Sequence, residues 1–88
     1  EVGQLRCKAT GRKVTVLSSQ PAAVLYTGNW LAGGCPKTKS DKYYQDYAGV
    51  AIECQGFSDA VNHPDFPSIY LKADELYCNK IVFKLEQF

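Results

Sequence analysis

Four cysteines in a chain of only 88 residues are the feature that most constrains what this sequence can fold into. Folding buries about 60–65 % of the unfolded surface of so short a chain, so a hydrophobic core alone gives marginal stability. An even cysteine count in a short chain predicts disulfide bonds and an oxidising compartment. Four cysteines allow three pairings. We expect Cys7–Cys78, which would tie the N-terminal hairpin to the last strand, together with Cys35–Cys54.

The remaining composition excludes several kinds of site. No two cysteines have zinc-binding CxxC spacing and the single histidine, His63, stands apart, so we expect no metal site and no cofactor. The sequence has no apolar run of the ~20 residues that a membrane span needs. It also contains no methionine, which we interpret as a mature secreted chain whose signal peptide has been removed. The net charge of +1 neither requires nor excludes a nucleic-acid partner.

The first third of the chain predicts a β-hairpin followed by a helix. The segments GQLRC and KVTVL have the composition of strands, and Thr10–Gly11 between them supplies a turn. A serine and then Pro21 open the next segment as they would open a helix. Val24, Leu25 and Leu31 follow near helical spacing, so we predict a helix from residue 18 to residue 34.

The second half of the chain predicts mostly strands. VAIEC, SIYLK and YCNKIVFKL are the candidates, and in the last of them apolar and basic side chains alternate. One helix before a mostly antiparallel sheet gives a single α+β domain over residues 1–88. We expect the helix to pack on four apolar side chains of the sheet: Ile52, Ile69, Ile81 and Phe83.

Three motifs in order resemble the small fungal guanyl-specific ribonucleases. Tyr44, Tyr47 and Gly49 keep the family's Tyr-x-x-Tyr-x-Gly spacing, residues 65–67 (Asp-Phe-Pro) resemble its Glu-aromatic-Pro element, and NKIVF at residues 79–83 resembles Asp-Arg-Val-Val-Phe. The resemblance covers residues 42 to 83. It implies a microbial RNase-like fold, in which one α-helix packs on a curved antiparallel β-sheet with an N-terminal β-hairpin alongside.

The chain is more similar still to the catalytically inactive, ribonuclease-like effectors that cereal powdery mildews secrete. These proteins begin with an aromatic-x-Cys element, and residues 5–7 (Leu-Arg-Cys) occupy that place with leucine instead of the aromatic residue. Their resemblance implies a fungal virulence protein of a plant pathogen.

The ribonuclease resemblance implies that the catalytic set has been lost. The family's glutamate falls on Asp65, its first histidine on Lys42 and its arginine on Lys80, while its second histidine has no counterpart. Lysine is a poor base at neutral pH because its pKa lies near 10.4. The carboxylate with which the family recognises guanine is replaced by Ala48. We therefore expect a pseudoenzyme with no catalytic residues.

A binding site could be retained although the catalytic residues are lost. Tyr44 and Tyr47 could stack on bases, with Lys42 and Lys80 on phosphates and Asp65 beside them, which would permit weak binding of RNA. Alternatively the tyrosines pack on the sheet or form a protein interface, where tyrosine is enriched.

The resemblance thus implies a secreted, monomeric effector that acts in the host cell cytoplasm, away from membranes. Its partners would be host plant proteins or RNA, and recognition by an intracellular plant immune receptor would make it an avirulence protein. Two alternatives stay open at this point. One is a disulfide-stabilised antifungal or toxin-like protein, and the other is an active ribonuclease that uses Asp65, His63 and Lys80.

Overall fold

The computed structural model describes residues 1–33 and 37–88, and in these residues all regular structure is β-strand or short 3-10 helix. None of the helices in this part has the length and apolarity needed to cross a membrane. The strands are β1 (Gly3–Cys7), β2 (Arg12–Ser18), β3 (Ala22–Tyr26), β4 (Ala51–Gln55) and β5 (Ile81–Gln87), and the 3-10 helices are Leu31–Gly33 and Ala60–Asn62.

The chain divides into two compact units. The first, which we call the sheet unit, combines Glu1–Ala23 with Cys54–Phe88, and the second, the loop unit, is Val24–Glu53. Strands β1, β2 and β5 form one antiparallel sheet in the order β1-β2-β5, and β3 pairs with β4 in a second sheet.

The sheet unit confirms the predicted N-terminal hairpin. Antiparallel pairing joins β1 to β2, and Gly11 in the turn has φ 63°, a left-handed conformation that glycine adopts without strain. In the register of the sheet, Leu5 lies opposite Val14, which lies opposite Leu85. Because side chains alternate along a strand, these three share one face of the sheet.

Among residues 1–33 and 37–88, very few side chains are fully buried. Val16 is 0 % exposed and Cys54 is also buried, whereas Phe83 and Leu85 on the same sheet face as Val16 are 57 % and 79 % exposed. Beside Val16, the buried Thr15 donates its hydroxyl to Glu86 at 3.2 Å. The apolar face of the three-stranded sheet is thus covered only at its centre.

The predicted helix over residues 18–34 is wrong, and with it the α+β fold class. The described part of this segment contains β3, a turn and one short 3-10 helix. Ala22–Tyr26 pairs with β4 in a two-stranded sheet, and Gly28 has φ 72°, which no right-handed helix accommodates. The expected helix packing fails as well, because Val24 and Leu25 are 41 % and 60 % exposed.

The segment SIYLK, predicted as a strand, has no regular structure between residues 68 and 72. Ile69 of this segment packs closely against Gly56, because a Cβ at Gly56 would lie 2.7 Å from Cγ2 of Ile69. The segment is therefore held by a side-chain contact and not by a strand ladder.

The predicted Cys7–Cys78 disulfide is not formed, since both are exposed free thiols. The predicted Cys35–Cys54 bond involves Cys35, which lies outside the described residues. Hydrogen bonds from the side chain and then the backbone of Thr10 lower the pKa of the Cys7 thiol, and Arg12 lowers it further. Cys7 is thus a surface thiol at the end of β1, where its surroundings favour the thiolate form.

Candidate functional site

The carboxylates separate into those with a polar partner and those without one. Six of the nine acidic side chains accept a hydrogen bond or form an ion pair. Within the described residues, the three without such a partner are Glu53, Asp65 and Asp74. Asp65 and Asp74 lie in turns, and only Glu53 lies on a strand. A reactive carboxylate must be both free and rigidly placed, and Glu53 alone meets both conditions.

Strand β4 sets the direction of the Glu53 side chain. Side chains alternate along a strand, so Ala51 and Glu53 share one face of β4 while Ile52 and Cys54 share the other. Cys54 is buried and Glu53 is exposed, which is the pattern of a strand with one covered face. Packing of the covered face thus fixes an unpaired carboxylate on the open face.

A small cavity opens at the start of β4. Its volume is about 240 Å³, and its lining is nearly all apolar. It is lined by Tyr26, Gly28, Leu31, Gly49, Val50 and Ala51. Ala51 and Glu53 are successive residues on one strand face, about 7 Å apart along the strand. Glu53, with its free carboxylate, is therefore the next residue on the same strand face after Ala51, which lines the apolar cavity.

Two glycines allow the walls of this cavity to meet. A Cβ at Gly28 would lie 2.6 Å from the backbone oxygen of Gly49 and 2.8 Å from Cδ1 of Leu31. The Tyr47 N–H donates to the Gly28 oxygen at 2.8 Å, and so does the Leu31 N–H at 3.3 Å. The segment after β3 and the segment before β4 are thus held in close contact.

The residues predicted from the ribonuclease resemblance are divided between the two units. Tyr44, Tyr47 and Lys42 lie in the loop unit, whereas Asp65 and Lys80 lie in the sheet unit. Tyr47 is 71 % exposed with φ 60°, and Tyr44 is 39 % exposed. No hydrogen bond or ion pair of the described residues joins Asp65 to Lys80. The Lys80 N–H instead donates to the Ser19 hydroxyl at 2.9 Å.

His63, the histidine of the active-ribonuclease alternative, is engaged within its own loop. Its Nε2 lies 3.3 Å from a carboxylate oxygen of Asp59, and its ring stacks on Phe66 with centroids 4.7 Å apart. These contacts stabilise the turn that contains the 3-10 helix Ala60–Asn62.

Sequence reasoning missed Glu53, although a signal for it was present. VAIEC was predicted as a strand, and a strand whose other residues are apolar, alanine or cysteine contains one carboxylate. A lone carboxylate in such a strand has to lie on its open face, which makes Glu53 a candidate site residue.

The chain matches the family model described as aldose 1-epimerase over residues 1–84. It is 42 % identical to the galactose mutarotase of Rattus norvegicus over 76 residues and 40 % identical to that of Homo sapiens over 76 residues, in each case 86 % of this chain and 22 % of the relative. It is 43 % identical to the aldose 1-epimerase of Haemophilus influenzae over 51 residues, 58 % of this chain and 14 % of the relative. No solved structure matches it.

These matches overturn the resemblance to ribonucleases and to mildew effectors. They cover nearly the whole chain, whereas the ribonuclease motifs were short and scattered over residues 42–83. The effector function, the toxin-like and ribonuclease alternatives, and the description as a pseudoenzyme are therefore wrong, because the relatives are named as enzymes of sugar interconversion. The predicted partners, monomeric state and location stay predictions, and the resemblance that implied them is lost.

Proposed function

This chain belongs to the aldose 1-epimerase family, and we propose that it supplies the proton-accepting carboxylate of a sugar 1-epimerase site, with Glu53 in that role. The chain spans about a fifth of the length of the curated relatives it matches. The observation that carries the proposal is the geometry of Glu53: unpaired, exposed, fixed on β4, and one pleat from the cavity.

The chemistry of 1-epimerisation needs such a group. A base takes the proton of the hydroxyl on carbon 1, the bond between carbon 1 and the ring oxygen breaks, and the ring oxygen receives a proton. Rotation of the resulting aldehyde and ring closure in the reverse sense give the other anomer. A positioned carboxylate contributes to such proton transfers by a factor of about 10²–10⁴.

The relatives and the cavity support an aldose as the substrate class. Several relatives are named galactose mutarotase, which supports an aldohexose as the substrate. An apolar cavity of ~150 Å³ can hold benzene. The cavity beside β4, at about 240 Å³, thus has room for one pyranose ring.

Glu53 is tested in a chimera, because the chain spans about a fifth of the length of these relatives. In the galactose mutarotase of Rattus norvegicus, the segment matched by this chain is replaced with this chain. Polarimetry of freshly dissolved α-D-galactose then follows the approach to anomeric equilibrium. We expect the chimera to accelerate mutarotation and Glu53→Gln to lower kcat at least about a hundredfold, with KM changed little.

Asp65→Asn is the matched control, since Asp65 is also unpaired but lies in a turn. We expect this variant to keep the activity of the chimera. If Asp65→Asn abolished activity and Glu53→Gln did not, the assignment of the base to β4 would be wrong.

A further inference from the structure

An exposed tryptophan stands on the segment that lines the cavity. Trp30 is 79 % exposed, and it lies between Gly28 and Leu31, both of which line the cavity. It is the single tryptophan of the chain. One exposed apolar side chain on its own needs no explanation, but the backbone around Trp30 is held by specific hydrogen bonds.

Two side chains accept hydrogen bonds from the backbone N–H groups of Trp30 and Ala32, on either side of the indole. The Trp30 N–H donates to the Tyr26 hydroxyl at 3.2 Å, and the Ala32 N–H donates to Oδ1 of Asp46 at 2.9 Å. In addition the Gly33 N–H donates to the Trp30 carbonyl at 3.4 Å. The peptide groups before and after the indole are thus fixed while its ring stays open to solvent.

Such an arrangement is preorganised for a ligand with an apolar face. Holding a contact group in its bound position before the ligand arrives reduces the entropy lost on binding. A pyranose presents C–H groups on its ring faces and hydroxyls at its rim, so its face matches an aromatic ring and its rim matches polar groups. Small-molecule sites combine aromatic walls with a few placed polar groups in this manner.

We propose that Trp30 stacks on the face of an aldohexose ring at the mouth of this cavity, and that Asp46 is a positioning residue that holds the Trp30 segment for it. The inference deepens the proposed function and relies on it for the substrate class. It assigns the contact to Trp30, the reactive group to Glu53, and the stiffness of the segment to Asp46 and Tyr26.

The single tryptophan makes the test direct. D-galactose is titrated into the 88-residue chain while the fluorescence of Trp30 is recorded, with galactitol as the control because it carries similar hydroxyls and no ring. We expect a saturable change with galactose and none with galactitol. An unchanged Trp30 signal with galactose, or an equal change with galactitol, would overturn the proposal.

Variants of Asp46 separate positioning from a general effect on folding. Asp46→Asn keeps a side-chain oxygen that can accept from the Ala32 N–H, whereas Asp46→Ala removes it. We expect Asp46→Ala to weaken galactose binding at least fivefold and to lower the anisotropy of Trp30, with an unchanged far-UV circular dichroism spectrum. Asp46→Asn should stay within twofold of the parent chain, and equal behaviour of the two variants would contradict the positioning role.

Two further variants keep this inference apart from the assignment of Glu53. Tyr43→Ala removes an aromatic ring that is 71 % exposed in the same unit but away from the cavity lining, and it should leave galactose binding unchanged. Glu53→Gln should leave the Trp30 response in place while the chimera loses activity. If Glu53→Gln abolished activity and Trp30 never responded to galactose, the assignment of Glu53 as the base would be supported. The stacking contact of Trp30 would then be wrong.

Discussion

Each of the two units is stabilised internally, and the kind of contact differs between the sheet unit and the loop unit. The sheet unit is ordered by the register of three antiparallel strands, with Val16 buried at its centre. The loop unit is ordered mainly by polar contacts of its turns, such as the bond from the Tyr47 N–H to the Gly28 oxygen, and by the close approach of Gly28 to Gly49. The apolar side chains of the loop unit contribute little, since Leu25 and Trp30 are 60 % and 79 % exposed.

This difference explains where a reactive group can be placed. A regular sheet with one polar face pairs its charges along the ladder, as Lys13 pairs with Glu86 at 3.0 Å. Glu53 lies on β4 at the end of the loop unit, and among the described residues it has no such partner. Gly28, Gly49 and Val50, which line the cavity, lie in loops, where functional residues are common.

The largest effect is expected at the centre of the sheet. Val16→Ala removes two fully buried methyl groups and leaves a cavity, so the free energy of unfolding should fall by about 2–3 kcal/mol. Leu85→Ala, on the same face but 79 % exposed, should change it by less than about 0.5 kcal/mol. Urea denaturation measures both, and equal losses would mean that the apolar face is covered in solution.

A smaller effect is expected in the loop unit. Gly28 has φ 72°, so Gly28→Ala should cost about 1–2 kcal/mol for the left-handed conformation, and the Gly49 oxygen should add to this cost. Gly33→Ala is the control, because a Cβ there meets nothing within 4 Å. If both variants unfolded at the same urea concentration, glycine packing would not be what orders this unit.

The smallest effect is the pH dependence of the Lys13–Glu86 pair. A hydrogen bond from Lys13, and a weaker one from Thr15, lower the pKa of Glu86 in the folded state. The pair therefore stabilises the fold fully above the unfolded-state pKa, near ~4.3, and loses this contribution as pH falls through the lower folded-state pKa.

The measurement is a double-mutant cycle of Lys13→Gln and Glu86→Gln, followed by urea denaturation at several pH values. The coupling free energy should be favourable at neutral pH and should shrink in acid, below the ordinary glutamate pKa. A coupling that grows as the pH falls would contradict the ion pair.

The sequence predicted the sheet unit better than the loop unit for a physical reason. Alternation of apolar and polar side chains and the Thr10–Gly11 turn are local signals, and they identified β1, β2 and most of β5. Strand β3 was missed because the apolar spacing of Val24, Leu25 and Leu31 also fits a helix. Its pairing with β4, some 30 residues further along, is a non-local contact that no window of sequence contains.

The candidate site was missed for a related reason. Tyr44, Tyr47 and Lys42 were selected because a short motif matched another family, and all three lie in the loop unit. Asp65 and Lys80, selected with them, belong to the sheet unit. Glu53 could have been selected from its strand alone. The hydrogen bond from the Ala32 N–H to Asp46 joins two segments that are distant in sequence, so only the structure reveals it.

The half-covered sheet also determines how this chain behaves at high concentration. Strands β1 and β5 are the two edges of the described sheet, and both border the apolar face that Phe83 and Leu85 expose. Unpaired edges next to exposed apolar side chains are templates for pairing with further chains. Self-association of the isolated chain should therefore begin by strand addition and build ordered aggregates with the ~4.7 Å strand spacing. A charged residue in place of Leu85 would be the first change for keeping it in solution.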